Sequence, residues 1–383
     1  GTESPFNFAV DFRRENLKLN DQVSYYFVVS DNDGVNGSKT TKSRTFQYRL
    51  PSLEELNDSR EEDRKETRDE MQKVLNQADE FKKNLDRLRK ETMNSKQSNW
   101  NKQNQAQQLQ EEHKSLVENL KNLQEQMQNS VEEKNQLSEM DQQILDQQEL
   151  INDLLEELMD DEMKELLEEL EKLLQEQNKN ALEENMEELE MSSEDMNKQL
   201  ERTMEMLKKL QVNEKIDEIE EELKALAKEQ EELKQETENK KKMSDSDLKK
   251  QDDIKNKFDQ IKDDLNILDS LNKNLDRPLE LGDQDEKSEE IDENLDDSKE
   301  QLEKDKGNKA GESQENASEK MEEMADELDK MQQESNNEQQ AEDIDLLRNI
   351  LESLVYLSFD QEDVMAKLYR VADSDPAYLK HGR

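Results

Sequence analysis

Residues 136–175, QLSEMDQQILDQQELINDLLEELMDDEMKELLEELEKLLQ, carry the clearest structural pattern in this chain. Their apolar residues return at steps of three, four or seven, with one five-residue step from Leu158 to Met163. Such steps place apolar side chains on one stripe of a helix, opposite a face of Glu, Asp, Gln and Lys. A stripe this narrow requires a partner helix. We therefore predict a continuous helical rod about 60 Å long, with the stripe Met140, Ile144, Ile151, Leu154, Leu158, Met163, Leu166, Leu170 and Leu173.

The composition of the whole chain agrees with this pattern. Of 383 residues, 41% are charged and 30% are hydrophobic, with only 7 Gly and 4 Pro. A usual charged share is about 25%. Many Glu, Lys, Gln and Leu with few helix breakers favour long helices, because these side chains lose little rotamer freedom there. We predict a mainly α fold of long amphipathic, coiled-coil helices after a short N-terminal all-β segment.

The net charge of −46 restricts the partners of this protein. Such a chain repels the phosphates of nucleic acids and the headgroups of anionic lipids, whereas it attracts cations and basic proteins. It contains no cysteine, so disulfides and thiolate metal sites are excluded. No apolar run approaches the roughly 20 residues that span a bilayer.

Residues 1–50 differ from the rest, since they are rich in aromatic residues and alternate as strands do. We predict strands over residues 6–12, 22–30 and 43–48. The last one returns after the loop DNDGVNG, in which the Asp-Gly and Asn-Gly pairs favour a hairpin turn. Three strands leave edges exposed. We interpret 1–50 as the C-terminal part of an immunoglobulin-like sandwich in a fragment of a longer protein, with a small independent sheet as the alternative.

Residues 51–281 are predicted to form a long helical coiled-coil region. Ser52 can cap its first helix, and Glu55 three residues later completes a capping box. Further helix starts are predicted at Ser192, after a short link over 186–191, and at Ser244.

Polar stretches are predicted to interrupt the helices. The Asn- and Gln-rich residues 94–110 indicate a bend or a poorly packed helix, with Trp100 as its anchor. Residues 282–316 have almost no apolar side chains, which indicates an acidic disordered linker or at best a solvated helix. Residues 317–383 contain a Met-rich helix and a truncated C-terminal helical segment, separated by a polar linker at 334–340.

Two features suggest metal sites, and neither matches a known pattern. His113 lacks a second His one turn away, so it is interpreted as a surface residue. Asp31 and Asp33 lie in the DNDG loop, but Val35 occupies the fifth position, where an EF-hand requires an oxygen ligand. We expect a plain turn there, with a loop ion held by Asp31 and Asp33 as the alternative.

No pattern in the chain indicates catalysis. Its carboxylates are interpreted as lying on solvated helix faces. The run GNKAG at 307–311 lacks the Gly-Lys-Ser/Thr ending of a phosphate loop. We therefore predict no enzyme activity, no catalytic residue and no cofactor. The Met clusters at 186–206 and 321–331 are interpreted as packing between helices, and a Met-lined peptide groove is the alternative.

Four runs resemble a known family. They are YYFVVSDNDGVNGSKTTKSRTFQYRLPSLEEL, LLEELMDDEMKELLEELEKLL, LERTMEMLKKL and DIDLLRNILESLVYLSFDQEDVM. They are similar to the large bacterial proteins of the domain-of-unknown-function 4175 family, Bacteroidetes type, over nearly the whole chain. The resemblance implies upstream membrane-spanning helices, an extracytoplasmic (periplasmic) β-sandwich and a long helical region at the cell membrane. It implies no catalytic residue.

These observations favour a non-enzymatic scaffold that binds an unknown protein partner, or itself, through helices. One alternative is a chaperone-like holder of client proteins that uses the Met-rich helices. Another is the non-catalytic part of an enzyme or transport assembly whose active part lies outside this fragment. The predicted contact surfaces are the rod and the helix over 346–357, with the interaction residues Ile151, Leu154, Leu158, Leu166, Leu170, Leu346 and Ile350.

Overall fold

The computed structural model describes residue 17 and residues 20–30, 39–93, 99–137, 142–159, 161–176 and 179–369. Over these residues the fold is mainly α with a small N-terminal β part, as predicted. The elements are β1 (Gln22–Tyr25), β2 (Val28–Ser30), β3 (Thr40–Lys42), β4 (Phe46–Arg49), α1 (Leu53–Met93), α2 (Asn99–Leu137), α3 (Gln142–Glu157), α4 (Glu162–Glu176), α5 (Lys179–Thr237), α6 (Asp245–Asn272), α7 (Gln284–Glu303) and α8 (Gly307–Tyr369).

The chain divides into two compact units. Unit 1 comprises Gly1–Glu218 and Ser270–Asp276, and unit 2 comprises Ile219–Asp269 and Arg277–Arg383. The first part of α5 therefore belongs to unit 1, and its last part belongs to unit 2.

The described strands form one antiparallel hairpin with a bulge. β1 pairs with β4 and β2 pairs with β3, so the predicted strand over 22–30 is divided in two. Two residues separate β1 from β2, but three separate β3 from β4, and the extra residue is the bulge. There the Phe27 N–H donates to Ser43 Oγ and the Ser43 N–H donates to the Phe27 carbonyl, both at 2.9 Å. The predicted strand over 6–12 lies outside the described residues.

The predicted capping box at the start of α1 is confirmed. The Glu55 N–H donates to Ser52 Oγ at 3.1 Å, and the Ser52 N–H donates to Glu55 Oε2 at 2.9 Å. The Arg49 guanidinium, at the end of β4, also donates to both Glu55 oxygens at 2.5 and 2.7 Å. This hydrogen bond, followed by that of the Ser52 backbone, lowers the pKa of Glu55. The cap therefore joins the hairpin to the helix.

Unit 1 is a bundle of antiparallel helices. Hydrogen bonds join α1 to α2 (Asn84 to Glu112, 3.0 Å) and α2 to α4 (Gln110 to the Leu167 carbonyl, 3.1 Å). Ion pairs such as Lys82–Glu194, at 3.4 Å, join α1 to the first part of α5. Because α3 and α4 together run along α2 and α5, four helical layers enclose one apolar core, and the helices pair within a single chain.

The N-terminal end of α2 differs from the prediction. Trp100 is 70% exposed, so it does not anchor this region. Ala106 and Leu109 instead reach the core, and they begin the regular apolar spacing of α2. Small and aliphatic side chains at the right positions allow an Asn- and Gln-rich helix to pack closely against α1.

The prediction of one continuous rod over 136–175 is wrong. α3 ends at Glu157, Leu158 and Met159 lie in a turn, and α4 begins at Glu162. The Met159 N–H donates to the Glu156 carbonyl at 3.0 Å, which is the tighter spacing of a helix end. A five-residue step turns the stripe by about 140° around a helix. The break returns Met163 to the side that the core occupies.

The predicted link over 186–191 and helix start at Ser192 are also wrong. α5 continues without interruption from Lys179 to Thr237. Met186 and Leu189 are buried within this predicted link, and Ser193 is fully buried as well. The capping preference of Ser is weak compared with the burial of an apolar face on both sides of it.

Unit 2 is a second antiparallel bundle, and it includes a segment predicted to be disordered. α7 and the first turns of α8 occupy most of 282–316, so the prediction of a disordered linker is wrong there. Asp283 caps α7 by accepting from the Glu286 N–H at 3.1 Å. The buried positions keep steps of three and four because two serines fill the gaps between aliphatic residues; they are Ser288, Ile291, Leu295, Ser298 and Leu302. Counting apolar residues alone does not detect this stripe.

Helix α8 begins and continues differently from the sequence interpretation. A Cβ at Gly307 would lie 2.4 Å from the Thr237 carbonyl oxygen, so only glycine permits this approach of α8 to the end of α5. The run GNKAG is therefore a helix start. The predicted polar linker at 334–340 is part of α8.

In each of the pairs Leu154-Leu155 and Leu166-Leu167 the second leucine faces the core, and the first pair provides a matched test. Leu155 is fully buried, whereas Leu154 is only half-buried. We expect Leu155→Asp to lower the free energy of unfolding by about 4 kcal/mol and Leu154→Asp by about 1 kcal/mol, because only the first places an unpaired charge in the core. Urea unfolding followed by far-UV circular dichroism measures both, and equal losses would contradict the assignment.

Candidate interaction surface

The predicted interaction residues of the rod form the interior of unit 1. Ile151, Leu158 and Leu170 are buried. Leu154 and Leu166 are half-buried, because the residue that follows each of them takes the core position. These side chains therefore join helices of the same chain. The loop candidates Asp31 and Asp33 lie outside the described residues.

Most residues of the Met clusters pack inside the bundles, as the packing interpretation predicts, whereas Met191 is 67% exposed. Met186, Met196 and Met204 are buried in unit 1, and Met321 and Met324 are fully buried in unit 2. Methionine fits irregular gaps between helices because its side chain is unbranched and flexible. A groove lined by these buried methionines is therefore closed to an external peptide.

The C-terminal part of α8 has the opposite character. Residues 347–365, here called the α8 apolar segment, carry ten large hydrophobic side chains that are 43–71% exposed. They are Leu347, Ile350, Leu351, Leu354, Val355, Tyr356, Leu357, Phe359, Val364 and Met365. The predicted interaction residue Ile350 is among them, at 47%. Leu346 lies on the same helix, but its side chain is outside the described ones.

The α8 apolar segment has the spacing of a helix-packing surface. Leu347, Ile350, Leu354 and Leu357 follow steps of three and four, and Val364 lies seven residues further on. This is the heptad pattern by which helices pair. Earlier in the same helix, Met321, Met324 and Leu328 repeat these steps and are fully buried in unit 2. Ten exposed apolar side chains on one helix differ from the singly scattered ones that are normal on a protein surface.

A buried polar layer, here called the Gln251 layer, crosses the interior of unit 2. The Gln251 side-chain oxygen accepts from Gln230 of α5 at 3.1 Å, from Ser298 of α7 at 2.8 Å and from Gln314 of α8 at 3.1 Å. The Gln251 amide donates in return to Gln230 at 3.0 Å, and Thr237 donates to Gln314 at 3.1 Å. All five side chains are 0–1% exposed.

The Gln251 layer can fix the register of the bundle. One acceptor on α6 receives hydrogen bonds from each of the three other helices, so a shift of any helix along its axis would break at least one of them. An unpaired buried donor costs about 1–3 kcal/mol. Apolar stripes tolerate such shifts more easily than paired polar groups do, and buried polar residues specify helix register in coiled coils.

A buried ion cluster, here called the Arg64 cluster, occupies the interior of unit 1. Arg64 of α1 contacts Glu218 of α5 at 3.0 Å and Glu214 at 3.9 Å, and Lys215 contacts Glu218 at 3.0 Å. The side-chain amide of Gln211 donates to the Arg64 carbonyl at 2.7 Å. Burial lowers the pKa of Arg64, but the charges of Glu218 and Glu214 outweigh burial, so the pKa is raised and Arg64 stays charged.

His113 is buried, so its interpretation as a surface residue is wrong. Its side chain is 6% exposed, and its ring centroid lies 6.2 Å from that of Phe81. Burial is the largest cause that lowers the pKa of His113; Asp161 opposes this effect and Lys164 adds to it. A neutral imidazole packed beside an aromatic ring is part of the apolar core. Because the residues around His113 in the sequence are mostly polar, the burial of its side chain was not predicted.

Both clusters are buried and consist of polar groups that contact one another. Within the described ranges, no three His, Cys, Asp or Glu side chains are grouped so that they could hold a metal ion. The Gln251 layer consists of neutral groups that satisfy one another, and the Arg64 cluster consists of paired charges. What these arrangements provide is a defined geometry for each bundle.

Among the helices that the structure describes, none combines the length and the apolar character needed to cross a membrane.

Comparison with known proteins adds no relative. No protein-family model matches the chain, and neither a curated protein nor a solved structure matches it significantly. Functional inference therefore depends on the residues themselves, and the α8 apolar segment is the feature that the bundles do not account for.

The Gln251 layer predicts an unusual response to mutation. We expect Gln251→Leu to lower the free energy of unfolding by roughly 3 kcal/mol, because donors from three helices lose their buried acceptor. Gln260→Leu, on the exposed side of the same helix, should change it by less than about 0.5 kcal/mol. Replacing Gln230, Gln251 and Gln314 by Leu and Ser298 by Ala together should recover much of the loss. Urea unfolding measures all three variants.

His113 predicts a loss of stability in mild acid. Its pKa is lowered in the folded chain, so between that pKa and the ordinary value of about 6.5 only the unfolded chain binds the proton. The stability that His113 contributes is therefore complete above about pH 6.5 and is lost as the pH falls through the folded pKa.

The test compares the wild-type chain with His113→Gln, which cannot titrate. Urea unfolding between pH 7 and pH 5 should show a wild-type stability that falls more steeply, by up to about 1.4 kcal/mol per pH unit. An NMR titration of the His113 ring should give a pKa below its ordinary value. Parallel stability curves for the two chains would contradict the burial of His113.

Proposed function

We propose that this protein is a non-enzymatic scaffold that binds a protein partner through the α8 apolar segment. The single observation that carries the proposal is the exposure of ten large hydrophobic side chains over residues 347–365, five of them at helix-packing spacing. Patches of this size are rare on surfaces that bind nothing. The bundles supply a stable support from which the segment is presented.

The two buried polar clusters support a structural role for the bundles. Each cluster joins helices that are far apart in sequence. In unit 1, for example, Arg64 of α1 contacts Glu218 of α5. Buried polar groups that contact one another make one arrangement of helices more favourable than its shifted alternatives. A scaffold needs such a defined arrangement, whereas catalysis needs groups that are available to a substrate.

The cellular location is proposed on the sequence resemblance alone. The resemblance of this chain to the domain-of-unknown-function 4175 family supports a place on the extracytoplasmic side of a bacterial cell membrane. In that setting the β hairpin, joined to α1 by Arg49 and Glu55, would connect a membrane-proximal sandwich to the helical units. Anchoring would depend on segments other than those described.

Photo-cross-linking in cells of the source organism tests the proposal. A photo-reactive amino acid at Leu354, which is 58% exposed, should give a discrete cross-linked protein adduct. The matched control places the same group at Asn256, an exposed polar position on α6, where no such adduct is expected. If both positions give no adduct, or give the same adducts in equal yield, the α8 apolar segment is not the contact surface.

A further inference from the structure

We infer that the partner of the α8 apolar segment is a basic amphipathic helix, with an apolar stripe flanked by Lys and Arg. This inference rests on the proposed function and names the chemistry of the partner. Three features of the molecule support it: the spacing of the segment, its charge, and the way this chain pairs its own helices.

The spacing of the segment favours a helical partner. The apolar residues Leu347, Ile350, Leu354 and Leu357 form a stripe along a helix, with Val364 continuing it. A second helix packs on such a stripe because its side chains fit between residues three and four apart. An extended peptide would instead need a strand edge or a groove. The segment offers a helical surface.

The charge of the segment favours a basic partner. Residues 347–365 contain four acidic residues, Glu352, Asp360, Glu362 and Asp363, and one basic residue, Arg348, which gives 1 − 4 = −3. The whole chain carries −46. A second copy of this chain would bring like charges to the interface, and like charges oppose association. Anionic lipids are disfavoured for the same reason.

The helices of unit 2 show how this chain arranges charge around an apolar interface. Across the boundary of α5 and α6, Lys257 contacts Glu229 at 2.7 Å, and across that of α6 and α7, Lys262 contacts Asp292 at 2.5 Å. The same arrangement joins α5 to α8, where Lys234 contacts Glu315 at 3.1 Å.

The α8 apolar segment supplies the apolar stripe and more acidic than basic residues. A partner helix with basic flanks would therefore complement its net charge. Exposed pairs of this kind add little affinity individually, but they select the partner and its orientation. The apolar stripe would supply most of the binding energy, and the basic flanks would supply the specificity.

Three synthetic helical peptides of about 25 residues, a length at which isolated helices become stable, test the inference. The first has an apolar heptad stripe with Lys and Arg flanks. The second has the same stripe with Glu flanks. The third has the composition of the first with its apolar residues dispersed around the helix. Fluorescence anisotropy measures the binding of each peptide to the full chain at moderate salt.

We expect the first peptide to bind at least about 10-fold more tightly than either of the others, a difference of about 1.4 kcal/mol. In the chain, the double variant Leu347→Ser and Leu354→Ser should weaken its binding by about 10-fold or more. The matched control, Leu150→Ser with Met191→Ser, changes two exposed hydrophobic residues outside the segment and should leave the affinity unchanged. Circular dichroism should show unchanged helicity in both double variants, because all four side chains are exposed.

Several results would overturn the inference. If the dispersed peptide binds as tightly as the first peptide, net charge alone attracts it. If the Glu-flanked peptide binds as tightly as the first, the charge of the flanks does not determine which partner binds. Self-association that the Leu347→Ser and Leu354→Ser variant abolishes in sedimentation would assign the surface to a second copy. Segment-dependent binding to neutral phosphatidylcholine vesicles would assign it to a membrane. If no peptide binds but the Leu354 cross-link forms, the inference fails and the scaffold function stands. If no peptide binds and no cross-link forms, both the inference and the scaffold function fail.

Discussion

Each helix of this protein has an apolar stripe too narrow to form a core alone, and the fold depends on burying these stripes against one another. Four antiparallel helical layers solve this problem in each unit, because every stripe then faces two neighbours and the charged faces remain in water. The same constraint explains the departures from regular helices. The chain breaks between α3 and α4 where the stripe would otherwise turn away from the core, and it continues through Ser192 where the stripe does not change direction.

Apolar packing favours many similar arrangements, and buried polar groups reduce this number. In unit 2, Gln251 accepts from side chains on three other helices, so the register of all four helices depends on one amide oxygen. In unit 1, the contact between Arg64 of α1 and Glu218 of α5 joins two residues that are 154 apart in sequence. These groups are expensive to bury unless paired. Their pairing therefore favours the native arrangement over shifted ones.

The α8 helix contains the same pattern in two environments. Met321 and Leu328 are fully buried in unit 2, whereas Leu347 and Leu354, at equivalent heptad spacing, are exposed. The difference lies in the neighbours, since α5, α6 and α7 provide a packing surface only along the first part of α8. A helix that continues beyond its own bundle with an apolar stripe, and with more acidic than basic residues, presents the surface on which the scaffold proposal rests.

The sequence alone determined the helical character, the stripes and the local caps, because these depend on residues within one or two turns of each other. Composition and steps of three and four were sufficient for α1 and for most of α2 and α5, and the Ser52–Glu55 box was correctly located. Within Leu154-Leu155 and Leu166-Leu167, however, either leucine fits the spacing, and only contact with other helices decides which one is buried. The stripe of α7 was missed because Ser288 and Ser298 fill apolar positions. Ser288 donates to the Gln284 carbonyl of its own helix, whereas Ser298 donates to the distant Gln251. The burial of His113 and the exposure of the α8 apolar segment likewise depend on which helices are adjacent, and that information is contained in the tertiary structure.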